Sequence, residues 1–311
     1  DFFYHALSTE TMKNCLLANA FKNFANQQNQ YKVCLCFLEN FLFTRALVTG
    51  LNNSKRKISV HCMQHATYSI GNSQAYMDPI HEYKISKIDN ISQPHFEKIF
   101  VMGKKNKKLF ESFGYKPEEV LLYGSTRYKH IELDKFSQVK KSKNFKILVP
   151  LAFNSELHLH LIQAVYYATI DLNNIEIIIR NHPYRKIQNS VMWIKNNISK
   201  FNFSTNSLSE DLNKCHLVIS AYTTVAEEAI LLGIPLIQYR SLNYEWNPLA
   251  FEKDINLVSS VKELSKSIVN IKSNYDKSLP LKKLRKEVYN KYFYPSKNSE
   301  NNISRFYKEI L

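Results

Sequence analysis

Ile175-Glu176-Ile177-Ile178-Ile179-Arg180-Asn181-His182-Pro183 is the stretch that decides the fold. A short β-branched run stopped by a polar cluster and a proline reads as a buried parallel strand with its carboxyl end exposed to chemistry. A second such stretch follows, His216-Leu217-Val218-Ile219 running into Ser220-Ala221-Tyr222-Thr223-Thr224. It continues through Glu228-Ala229 to Gly233-Ile234-Pro235, where glycine ends a helix and proline opens the next strand. Open α/β sheets bind ligands just beyond the carboxyl ends of their strands. Both clusters therefore place Arg, His, Ser, Thr and Glu side chains where an anionic, phosphorylated ligand would lie.

Outward from these runs the α/β alternation covers the chain. On the carboxyl side the pattern predicts strands Lys146–Val149, Leu217–Ile219 and Pro235–Gln238. Helices are predicted over Glu156–Ile170, Ile187–Ile198, Thr224–Leu232, Val261–Ile271, Leu281–Tyr292 and Asn302–Leu311. On the amino side they are predicted over residues 1–29, Asn40–Leu51 and Lys104–Phe113, with strands Tyr31–Leu38, Ile58–Met63, Lys98–Met102 and Val120–Tyr123. Alternating β and α elements imply parallel sheets with right-handed crossovers. A Lys- and Ser-rich stretch with few apolar positions marks a linker over residues 136–144. The expected organisation is a first Rossmann-like α/β domain over 1–135, a second over 145–285, and C-terminal helices over 286–311 returning to the first domain.

The composition narrows the function. The chain has 311 residues, enough for two cored domains. No apolar run is long enough to cross a bilayer. The five cysteines, Cys15, Cys34, Cys36, Cys62 and Cys215, are odd in number and lack metal-ligand spacing, which fits free thiols in a cytoplasmic compartment. A formal charge of +15 favours anionic partners: nucleotide phosphates, nucleic acid or an acidic membrane surface. Only six glycines occur, with neither G-x-G-x-x-G nor a Walker loop. The usual dinucleotide and P-loop sites are thereby excluded, and a phosphate must be held by other means.

Helix N-termini and side chains supply those means. Thr223 and Thr224 stand at the predicted start of a helix, where hydroxyls and free backbone N–H groups can meet phosphate oxygens; an ordinary helix cap is the alternative. His182, directed by Pro183, can donate to a phosphate, with Arg180 adding a permanent charge. Glu228 falls one turn after Thr224 on the same helical face, placed to accept from ribose hydroxyls. Glu227 points elsewhere and is expected to be solvated.

The pattern His182-Pro183, Ser220-x-Tyr222-Thr223-Thr224, Glu228-Ala229-x-x-x-Gly233-x-Pro235 resembles the donor-binding domain of GT-B glycosyltransferases of bacterial surface polysaccharides. Sialyl- and polysialyltransferases, Kdo transferases and CDP-glycerol polymerases are the relatives it suggests. The match covers about residues 145–240. Gln64-His65, Val101-Met102-Gly103 and Leu122-Tyr123-Gly124-Ser125 support it in the first domain. The resemblance implies an α/β GT-B fold, two Rossmann-like domains with parallel sheets facing a central cleft. It also implies that His182, Ser220, Thr223 and Thr224 hold the donor phosphate and Glu228 the ribose. The acidic pair followed by glycine that supplies the sialyltransferase base is absent. Ala221 and Ala66 replace the Asp and Gly of the CDP-glycerol enzymes.

A transferase needs a base or a nucleophile from the acceptor side. Glu39 and His65, each ending a predicted strand, are the candidates. Asp78, Ser125, Arg127 and His158 are further candidate contacts to donor or acceptor. No Asp-x-Asp metal motif is present, so metal-independent transfer without a cofactor is expected. The expected donor is CMP-activated, carrying an acidic sugar of the Kdo or sialic type whose carboxylate Arg180 or Arg127 pairs. The expected acceptor is a glycan or glycolipid of capsule or lipopolysaccharide, reached from the cytoplasm with peripheral contact on the inner, anionic membrane face. CDP-glycerol or UDP-sugar transfer and nucleotide-sugar epimerisation are alternatives on the same fold. A basic membrane- or RNA-binding protein is the alternative of another class. It is suggested by the basic helix around Lys282-Lys283-Leu284-Arg285-Lys286, with Tyr289, Tyr292 and Phe293 beyond. No nucleic-acid-binding motif supports the RNA form, and nucleic acid is not an expected partner.

Overall fold

The computed structural model describes residues 9–28, 30–38, 42–56, 58–67, 96–125, 127–128, 131, 143–153, 156–187, 192–240, 249, 252, 255–275, 279–293 and 308. The chain divides into two compact units: Asp1–Lys129 with Asn290–Leu311, and His130–Tyr289.

The first unit holds a parallel sheet of β1 (Val33–Phe37), β2 (Ser59–Met63), β3 (Lys98–Val101) and β4 (Val120–Leu122), in that spatial order. Helices α1 (Thr9–Gln27), α2 (Leu42–Asn52) and α3 (Lys104–Ser112) accompany it. Val60, Cys62, Ile99, Val101 and Val120 alternate toward one core with Ala25 of α1, Val48 and Leu51 of α2 and Phe110 of α3. Cys34 and Cys36 of β1, at the sheet edge, are only half-buried, whereas Cys62 is buried and Cys15 exposed. Gly50 allows α1 and α2 to touch, because a Cβ there would lie 2.4 Å from the Ala18 carbonyl oxygen.

The second unit holds a six-stranded parallel sheet of β5 (Phe145–Pro150), β6 (Ile175–Arg180), β7 (Asn202–Phe203), β8 (Leu217–Ser220), β9 (Leu236–Tyr239) and β10 (Asn256–Val258). Their spatial order is β10-β9-β8-β5-β6-β7. The deciding stretch is thus strand β6, next to central β5. Ile147, Leu148 and Val149 of β5 are fully buried, each side chain contributing about 1.5–3 kcal/mol by leaving water. One face of the sheet packs against α4 (Glu156–Thr169) and α8 (Val261–Ser273) through Leu161, Ile162, Val165, Leu264 and Ile268. The remaining helices are α5 (Met192–Asn197), α6 (Leu208–Lys214), α7 (Val225–Leu232) and α9 (Leu279–Val288), the last packed on α7. Gly233 ends α7 with φ 78°, a left-handed conformation that glycine adopts without a Cβ penalty.

The elements β7, α6 and β10 are additions to the expected set. For α6 the signal was present: Ser207 and Glu210 form a capping box, with the Ser207 hydroxyl accepting from the Glu210 amide. Helix Leu281–Tyr292 is also revised. It is α9, followed by a π-helical turn Tyr289–Phe293, and its apolar residues are consumed in packing. Leu284, Val288, Tyr292 and Phe293 are at most 4% exposed, so these apolar side chains of the basic segment face protein. The end of this segment docks within the first unit. The Asn106 amide donates to the Tyr292 carbonyl, and the Ser125 amide to the Phe293 carbonyl at 3.1 Å. A Cβ on Gly103 would lie 2.3 Å from the Tyr292 carbonyl, so glycine is what permits the close approach. The expected linker 136–144 and the helix Asn302–Leu311 fall almost wholly outside the described residues.

Candidate functional site

In the second unit β8, β5 and β6 are consecutive in the sheet, so both polar clusters emerge from one carboxyl edge. They are two strand spacings apart, about 10 Å.

At the end of β6 the expected roles separate. Arg180 is turned into the fold: its Nη1 donates to Asp211 Oδ2 at 2.8 Å and to the Asn206 carbonyl at 2.7 Å. Asp211 of α6 is 1% exposed and also accepts from the Ser204 hydroxyl and the Asn206 amide. The clamp joins β6, the segment after β7 and α6. It engages Nη1 of the guanidinium that was expected to meet the donor.

His182, two residues on, stays half-buried at the edge. Its Nδ1 accepts from the Tyr184 amide at 3.3 Å, which places the proton of the neutral ring on Nε2. Burial, His158 and Arg185 together hold its pKa below the ordinary 6.5. It is a neutral donor at pH 7, ready to take up charge beside an anion. His158, in the first turn of α4, is 2% exposed and fixes the end of β5 by donating from Nε2 to the Ala152 carbonyl at 2.7 Å. Its Nδ1 has no hydrogen-bond partner. Phe153 packs edge-on against His182, ring centroids 5.4 Å apart.

At the end of β8, Ser220 is fully buried and its Oγ has no hydrogen-bond partner among the described residues. Gln238 of β9 is its register partner, is 1% exposed, and leaves both amide atoms without partners. Register partners in a parallel ladder share a face, so three unsatisfied polar atoms lie side by side, a rare arrangement in folded proteins. Sequence reasoning passed over Gln238 because a Gln inside an apolar strand carries no motif. Thr223 is a cap: its Oγ1 accepts from the Val225 amide at 3.3 Å, and its carbonyl accepts from the Ala226 amide. The amide of Glu227 is likewise taken by the Thr224 carbonyl at 3.0 Å, so the first-turn N–H groups of α7 are engaged. The hydroxyl proton of Thr223 remains to donate. Thr224 is the N-cap residue and makes no side-chain capping bond. Glu228 is half-buried, whereas Glu227, expected to be solvated, is the buried carboxylate, 4% exposed. The helix is buried on most sides, Ala226, Ala229, Ile230 and Leu231 included, so the face of Glu227 is not solvated. Burial of the Tyr222 phenol, with the Glu227 charge adding to it, pushes its pKa up.

In the first unit, the backbone of Gln64 after β2 donates to the Phe100 carbonyl, and its Oε1 accepts from the Met102 amide at 2.9 Å. His65 follows, half-buried, in an edge contact with Phe37 at 5.5 Å. Ser125 is buried, and Arg127 is exposed with its guanidinium 5.8 Å from the Tyr128 ring. Glu39 and Asp78 lie outside the described residues. Among the described residues no group of three or more His, Cys, Asp or Glu is arranged to hold a metal ion, and no helix is long and apolar enough to cross a membrane.

No protein-family model matches the chain, and no curated protein sequence matches it either. Solved structures do. The UDP-GlcNAc 2-epimerase of Neisseria meningitidis, bound to UDP-GlcNAc, superposes with a TM-score of 0.65 at 12% identity, over 97% of this chain and 82% of that one. The S. aureus MnaA–UDP structure gives 0.64 at 10% identity, over 98% and 83%. The wall teichoic acid polymerase TagF gives 0.51 at 14%, over 90% and 73%. At such identities the likeness is one of fold: an α/β chain of the GT-B type, with two Rossmann-like parallel sheets.

Proposed function

We propose that the chain is a nucleotide-sugar enzyme that binds the donor phosphate at the carboxyl edge of β6 and β8 and transfers the sugar to a bacterial surface glycan. The observation that carries this is His182. It is oriented by the Tyr184 amide with its Nε2 proton outward from the bond and kept neutral by its surroundings, at the strand edge where α/β sheets bind ligands. Thr223, Thr224 and Glu228, on the same edge, supply hydroxyls to the phosphate and a carboxylate to the ribose. His65 is the described candidate for the acceptor base. No cofactor and no metal enter this reading; leaving-group charge is met by hydrogen-bond donors.

For the donor, commitment of Arg180 to Asp211 removes one of the two cations that would pair an acidic sugar's carboxylate. It favours a nucleoside diphosphate-linked donor, a UDP-sugar or CDP-glycerol, over a CMP-linked Kdo or sialic-type sugar. The solved structures of the same fold that carry UDP-GlcNAc and UDP support that choice. They also favour epimerisation as a second reading, since the same donor site would serve it. Incubation with UDP-GlcNAc, CDP-glycerol and CMP-sialic acid, with and without a glycan acceptor, tests both, followed by separation of the nucleotides. Acceptor-dependent release of UDP or CDP is expected. Sugar isomerisation without release would replace transfer by epimerisation, and turnover of CMP-sialic acid alone would restore the monophosphate donor.

A further inference from the structure

The loop after β6 carries a second cation, Arg185. Its amide donates to the His182 carbonyl at 3.2 Å, closing an antiparallel bridge that holds the two residues together. Its guanidinium lies over the Phe153 ring, 5.0 Å from the centroid, while the same ring packs edge-on against His182 at 5.4 Å. Phe153 is therefore a shared platform: one aromatic ring fixes an imidazole and a guanidinium beside each other. Among the described residues Arg185 has no ion pair, in contrast to Arg180. A guanidinium stacked on a ring keeps its in-plane N–H groups available, a geometry suited to phosphate oxygens. His158, near enough to His182 to oppose its charging, is buried, and its Nδ1 has no hydrogen-bond partner among the described residues. Phe153 remains 58% exposed, an apolar surface that a bound nucleotide would cover.

We propose that Arg185, laid on Phe153, acts with His182 to bind the second phosphate of a nucleoside diphosphate-linked donor. The assignment rests on the nucleotide-sugar reading above and deepens it by naming the residue that would select the diphosphate-linked donor. His182 and the Thr223 and Thr224 hydroxyls are assigned above to a donor phosphate. A cation adjacent to His182 adds a contact that only a longer, more highly charged diphosphate uses. The neutral His182 leaves Arg185 as the permanent charge of the pair, so the selectivity between donors resides in Arg185.

The test is calorimetric titration of UDP, UMP, CDP and CMP into the full chain and into Arg185→Ala, Arg185→Lys and His182→Ala. Arg185→Ala is expected to weaken UDP and CDP about tenfold, the worth of one charge-assisted contact, and UMP and CMP about twofold or less. Arg185→Lys, a point charge without the planar fork, is expected to fall between. Thermal melts of the variants, with Arg185 exposed, are expected to match the wild type. Equal weakening of mono- and diphosphates, or no weakening of either, overturns the assignment. The two levels fail differently. If the wild type binds UDP and loses it in His182→Ala but not in Arg185→Ala, only the Arg185 role is wrong. If the wild type binds none of the four, the nucleotide-sugar reading fails and this inference falls with it.

Discussion

Replacing Asp211 by Asn separates a structural Arg180 from a ligand-binding one. Asp211 is 1% exposed and accepts from Arg180 at 2.8 Å, from Ser204 at 2.7 Å and from Asn206 at 3.1 Å. Removing one partner of a fully buried ion pair costs about 3–5 kcal/mol. The Arg180 side chain is 23% exposed, so water offsets part of that loss. Asn retains one oxygen acceptor but turns an amide toward the donors. The expected destabilisation of the second unit is about 2–3 kcal/mol. At about 2–4 °C per kcal/mol, its melting transition drops by roughly 5–10 °C. Arg180→Met leaves the carboxylate its Ser204 and Asn206 donors, and about 1–2 kcal/mol is expected. The double variant is expected to lose less than the sum of the two, with a coupling of about 1 kcal/mol or more. Urea denaturation of the three variants, with UDP titration alongside, reads both quantities. A stable Arg180→Met protein that no longer binds nucleotide would refute the clamp and return Arg180 to the donor.

Further outcomes follow from single contacts. His182 is expected to titrate below 6.5 by NMR, because burial, His158 and Arg185 oppose its charging; Arg185→Ala raises it, and bound UDP raises it further. Binding is then coupled to proton uptake, so UDP affinity increases as pH falls from 7.5 toward 6. The same depressed value means that His182 contributes stability above its unfolded pKa and loses it as pH falls through the folded one. Gly103→Ala forces a Cβ to 2.3 Å from the Tyr292 carbonyl, and a loss of about 2–4 kcal/mol in the first unit is expected from denaturation curves. Ser220→Ala removes a buried hydroxyl that has no partner, so free-protein stability should change by no more than about 0.5 kcal/mol while UDP binding weakens. A large stability loss would mean that Ser220 serves the fold alone.

The strands were legible because β-branched runs bounded by polar residues leave few alternatives. Ile175–Arg180 and Leu217–Ser220 became β6 and β8 with nearly the expected bounds. Strand order was not legible; parallel pairing of β5 with both β6 and β8 depends on contacts distant in sequence. The residues of the site were readable one at a time, but their commitments were not. Arg180 and Arg185 both flank His182 in sequence. Only the position of Asp211, on a helix omitted from the expected elements, shows which cation is consumed. The Glu227–Glu228 pair shows the same limit. A helical wheel gives directions around α7, but α9 packed against it helps to decide which direction is interior. The basic amphipathic pattern of α9 was real, and the apolar residues at its end are buried; in the turn beyond it Tyr292 and Phe293 have docking partners far away in sequence.

The most direct measurement is a calorimetric titration of UDP into the wild type and into His182→Ala at pH 7. Saturable binding by the wild type, weakened tenfold or more by the substitution with the melting temperature unchanged, is the predicted result. A folded wild type that takes up no nucleotide, or a His182→Ala protein that binds UDP equally well, would contradict a donor-phosphate site at the carboxyl edge of β6 and β8.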